Sequence, residues 1–70
     1  MKYAVVIEQG PASFGAYVPD LPGCIATAQT REAVVALIRE AIAFHIEGLR
    51  LKGDNVPLPC SGVEVIDVAA

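Results

Sequence analysis

The chain has only two cysteines and only five basic residues in 70. Each scarcity removes a class of function. Cys24 and Cys60 form no Cys-x-x-Cys motif, and His45 is the sole histidine, so the spacing holds no metal ligand set. No apolar run approaches the roughly 20 residues that cross a bilayer. No leader segment precedes the first β-like run at residues 2–8, so the expectation is a cytoplasmic protein with reduced thiols. The glycines are dispersed over separate turns and make no phosphate-cradling fingerprint. Eight acidic residues against five basic ones leave a net charge of −3. That balance opposes direct contact with nucleic acid and suits a basic protein partner. Neither cofactor, metal nor membrane is expected.

Seventy residues make one domain. Chains of this size rarely draw more than about 3–5 kcal/mol from their core. Hydrophobic residues nevertheless account for 54% of the sequence, more than so small an interior can hide. The excess predicts self-association, as a homodimer or a homotetramer.

Residues 2–8, KYAVVIE, are a β-branched run. Gln9-Gly10-Pro11-Ala12 signals a turn, and residues 13–18, SFGAYV, a second strand. The hexapeptide PDLPGC follows at residues 19–24, with two prolines, an Asp and a Gly. Proline cannot donate to a sheet ladder and turns its predecessor away from helix, so this stretch reads as a rigid connection between strands. Residues 25–28 make a short third strand.

At Thr30 the period changes. Thr30 suits a helix N-cap, and Glu32 sits where the helix dipole favours an acid. A helix of about twenty residues runs from there to Gly53, a C-terminal cap. Glu32, Ala36, Arg39, Glu40, Ala43, Glu47 and Arg50 share its polar face. Val34, Leu37, Ile38, Ala41, His45 and Leu49 lie opposite. The apolar arc is wider than one packed face needs, with Val35, Ile42 and Ile46 on one shoulder and Ala33, Phe44 and Leu51 on the other. The first shoulder is the expected self-association surface. A Pro-pinned connector and a last strand at residues 63–68 complete a two-layer α+β domain of β-β-β-α-β order.

Catalysis finds little support. A nucleophilic Cys24 needs a base or a helix N-terminus to lower its pKa, and none is local, so Cys24 reads as a buried structural thiol. His45 has no orienting carboxylate on its face and reads as a core or interface histidine. The carboxylates are scattered, and those of the helix form a solvated face rather than a metal cluster.

The stretch PDLPGCIATAQTREAVVALIREAIAFHIEGLRLKGDNVPLP, behind the Tyr-led strand KYAVVIE, resembles the N-terminal domain of the HicB antitoxins. The ordered pieces are PDLPGC, the helix start Thr30-Arg31-Glu32-Ala33, EAIAFHIEGL and the closing Val56-Pro57-Leu58-Pro59. The resemblance implies a partly degraded ribonuclease-H-like fold and a non-enzymatic protein. Its implied partner is a HicA-like toxin, a small basic mRNA-cleaving protein whose active surface the antitoxin covers. Typical members add a C-terminal DNA-binding domain. This chain stops at Ala70, so the expectation is a single HicB-like domain over residues 1–70 without DNA binding. Many relatives also carry Gly where Ala28 stands.

Glu8, Asp20, Glu64 and Asp67, at strand ends or edges, are the carboxylates expected to face the toxin. The rival reading is an orphan HicB-like homo-oligomer that binds another protein or a small ligand.

Overall fold

The computed structural model describes residues 1–69. Its first three elements are β1 (Val6–Gln9), β2 (Phe14–Tyr17) and β3 (Ile25–Ala28). They form one antiparallel sheet in the order β1-β2-β3. Gln9 stands opposite Phe14 and Val6 opposite Tyr17, so the Gly10–Ser13 turn closes the hairpin, held by Gly10 N–H on the Ser13 carbonyl at 2.7 Å.

PDLPGC is two β-turns in succession. Leu21 N–H reaches the Val18 carbonyl at 3.1 Å, and Cys24 N–H reaches the Leu21 carbonyl at 3.1 Å. Val18 N–H closes the loop on the Cys24 carbonyl at 3.2 Å. Each turn has a proline in its second position, where the fixed φ is pre-set for the bend. Gly23, third in the second turn, has φ +86°, the left-handed value that such a turn requires and that favours glycine. Nothing lies within 4 Å of a Cβ placed there. Gly23→Ala is therefore expected to cost only the backbone strain, about 1–2 kcal/mol, read as a lower midpoint in urea unfolding.

The helix α1 (Arg31–Leu51) begins as the sequence predicts, with the Thr30 hydroxyl accepting from Ala33 N–H at 3.1 Å. Its end is a Schellman motif. Gly53, at φ +76°, donates to the Arg50 carbonyl, and Asp54 donates to the Leu49 carbonyl.

The helix packs chiefly on β3 and β2. Between the layers lie Ala16, Val18, Leu21, Cys24, Val34 and Ile38, with no polar group buried among them. Leu21 and Val34 are wholly enclosed, at 0% exposure. The loop thus delivers a core residue from between its two prolines.

The α+β class and the two layers match the expectation, but two features of the strands differ. The first strand pairs only over Val6–Gln9. Val18 and Pro19 enter the turn, so β2 has no ladder left to offer residues 2–5. These run on past the sheet, and the Tyr3 hydroxyl donates to the Pro57 carbonyl in the connector. The fourth strand expected at residues 63–68 is not formed: residues 61–69 hold no strand and are exposed throughout. Its β-prone pattern has no sheet edge beside it within the chain.

A candidate partner-binding surface

Leu37, Phe44 and Leu51 recur every seventh residue along α1, which places them in one line on the helix. All three are exposed, Phe44 at 78% and Leu51 at 82%. Glu40 and Glu47 fall along the same side of the helix and are also exposed. Leu37, Glu40, Ala41 and Phe44 line a shallow hollow there. The spare shoulder of the helix is the one carrying Phe44 and Leu51. Ile42 and Ile46 instead pack partly against the core, and Val35 is half-buried. Leu37, assigned to the sheet side by sequence, stands at the exposed flank. A helix laid over β3 and β2 covers unequal amounts of its two shoulders, and periodicity cannot tell which is covered.

The four expected carboxylates do not converge. Glu8 lies in β1 toward the hairpin turn, whereas Asp20 lies in the loop at the other end of the sheet. Glu64 and Asp67 are exposed on the C-terminal segment.

Asp20 is engaged within the chain. Its Oδ2 accepts from Cys60 N–H and Ser61 N–H, both at 2.9 Å. Its Oδ1 accepts from the Ser61 hydroxyl at 2.7 Å and the Cys60 thiol at 3.1 Å. The backbone and hydroxyl of Ser61, then the backbone and thiol of Cys60, hold the Asp20 carboxyl well below the usual carboxylate range. The bond to Asp20 and its negative charge raise the Cys60 thiol in turn. This clasp joins residues 40 apart in sequence.

A depressed carboxyl pKa stabilises the clasp fully above the ordinary Asp value, and protonation removes that contribution below it. The clasp is therefore expected to hold across neutral pH and to loosen only in strong acid. Asp20→Asn, with one acceptor oxygen in place of two, should speed amide exchange at Cys60 and Ser61 at neutral pH while the helix amides keep their protection.

Cys24 is a free, buried thiol, and burial pushes its pKa up, which disfavours the nucleophilic thiolate. His45 is half-buried on α1. Among the described residues no group of three His, Cys, Asp or Glu side chains is placed to hold a metal ion. No helix among them is long and apolar enough to cross a membrane.

One family profile matches nearly the whole chain. The profile described as "HicB_like antitoxin of bacterial toxin-antitoxin system" matches residues 3–69. An uncharacterised 14.9 kDa protein of Haemophilus phage HP1 is 35% identical over 57 residues, covering 81% of this chain and 43% of the phage protein. The chain thus spans less than half of that relative. A UPF0150 protein of Thermoplasma acidophilum is 34% identical over 58 residues, 81% of this chain and 84% of its own. A UPF0150 protein of Archaeoglobus fulgidus is 32% identical over 69 residues, 97% and 96% of the two chains. No solved structure matches. With a profile that runs through both turns of PDLPGC, the whole of α1 and the connector, the chain belongs to the HicB-like antitoxin family.

Proposed function

We propose that the protein is an antitoxin that binds a small basic toxin of the HicA type and covers its RNA-binding face, with no chemistry of its own. The observation that carries this reading is the exposed line Leu37, Phe44 and Leu51 beside Glu40 and Glu47. An aromatic anchor bordered by acids is the pattern that suits a basic protein surface. Both layers support it: the sheet holds one face of α1, and this flank is left for a partner. The carboxylates of Glu8, Glu64 and Asp67 add to the acidic field that steers encounter. Asp20 contributes through the clasp, since its oxygens are already occupied. The site of action is the cytoplasm, where mRNA is cleaved.

The test takes a small basic toxin of the HicA type and measures association by stopped flow at two ionic strengths. Glu40→Lys with Glu47→Lys should slow association, most strongly at low salt, where screening is weakest. An unchanged rate at both ionic strengths would remove the helix flank from the toxin interface.

A further inference from the structure

The segment at residues 63–68 is the least satisfied part of the molecule. Val63, Val65, Ile66 and Val68 are all exposed, Val65 at 91%. Among the described residues, no backbone–backbone hydrogen bond ties positions 62–69 to the rest of the chain. The pattern is that of a strand, rich in β-branched residues and about 20 Å long when extended. Projecting residues also leave the molecule elongated, at 47 × 26 × 16 Å. Its radius of gyration is 13.7 Å, against about 11 Å for a compact chain of this length.

The sheet has a matching vacancy. β1 is an edge strand with β2 on one side only. Because the helix lies chiefly over β3 and β2, the core-side residues Tyr3, Val5 and Ile7 are only partly buried. A strand beside β1 would extend the sheet and cover them. Within the chain itself residues 61–69 form no strand and stay exposed, so the segment does not pair with its own β1 edge. The Asp20 clasp fixes Cys60 and Ser61 at the loop joining β2 to β3, so the segment leaves from that end of the sheet.

We infer that residues 63–68 of one copy add as a strand to the open β1 edge of a second copy, and that the exchange is reciprocal. Each copy carries both the donor segment and the acceptor edge, so one two-fold axis satisfies both and the assembly closes as a dimer. The backbone groups of the segment then find ladder partners, and its apolar side chains leave water. An unpaired apolar edge and an unpaired apolar strand on one chain are a combination that otherwise invites open-ended association. The Asp20 clasp sets the point of departure and with it the register. This pairing needs no toxin and leaves the flank of Phe44 outside the exchange.

The test is sedimentation joined to isotope-filtered NMR on a mixture of labelled and unlabelled protein. At micromolar concentration the chain should sediment at twice its 7.3 kDa mass. Methyl contacts between Val65 or Ile66 and Val5 or Ile7 should appear only between copies. Val65→Pro, which removes a ladder donor, and Ile66→Lys should each give a monomer with the helix signal in circular dichroism unchanged. A wild-type monomer, contacts within one copy, or contacts from the segment to β3 would each overturn the proposal. So would a dimer that survives both substitutions.

Discussion

Leu21→Ala is expected to leave a large fraction of the protein unfolded at room temperature. Leu21 has no exposed surface, and truncating a buried leucine to alanine costs about 2–5 kcal/mol, more where the cavity cannot collapse. Collapse is hindered here because Leu21 ends one Pro-containing turn and begins the next. A core of this size supplies only about 3–5 kcal/mol in total. One substitution therefore removes most of the margin, and urea unfolding followed by circular dichroism should show a midpoint near zero denaturant. A midpoint shift no larger than that of Gly23→Ala would show that the loop does not anchor the core. The hexapeptide is thus architecture first. Its cysteine is enclosed with Leu21 in the same cluster, where burial raises the thiol's pKa and disfavours the thiolate.

Phe44→Ala is expected to weaken binding to the proposed toxin about thirtyfold or more while the protein remains folded. A central aromatic residue in an interface is worth about 2 kcal/mol or more on truncation, which is a factor of this size. At 78% exposure in the free protein, Phe44 contributes little to the fold, so the loss should be confined to binding. Calorimetric titration of the toxin checks the affinity, and an unchanged thermal midpoint checks the fold. The loss should fall mainly on dissociation, whereas reversing Glu40 and Glu47 should fall on association. A Phe44→Ala protein that binds as tightly as the parent would move the interface off this flank of α1.

Local chemistry made most of the fold legible. Thr30 and Gly53 mark the ends of α1, and both prolines with Gly23 mark the double turn, because each acts through its own backbone or its immediate neighbours. The strands were less legible at their ends. Residues 2–5 have the composition of a strand, but pairing depends on the partner, and β2 is cut short by Pro19. Residues 63–68 show the same limit more strongly: propensity is intrinsic, whereas a ladder needs an adjacent edge. The ribonuclease-H-like topology implied by resemblance depends on that fourth strand. The surface was half legible. Periodicity revealed an apolar arc too wide for one sheet, but the choice between Ile42 with Ile46 and Phe44 with Leu51 was made by how the helix lies on β3 and β2. The Asp20 clasp was not legible, because nothing in the local pattern points to a partner 40 residues away.

If the protein inhibits by covering a basic ribonuclease, inhibition should be stoichiometric when titrated against a fixed amount of toxin. A small basic toxin of the HicA type is incubated with a messenger RNA, and the protein is added in increasing ratio. Cleavage should fall to background near equal concentrations of the two chains. Phe44→Ala should need a large excess to reach the same point, and the protein alone should leave the RNA intact. Cleavage that persists undiminished at a large excess of folded wild-type protein would contradict inhibition by occlusion, as would cleavage of the RNA by the protein itself.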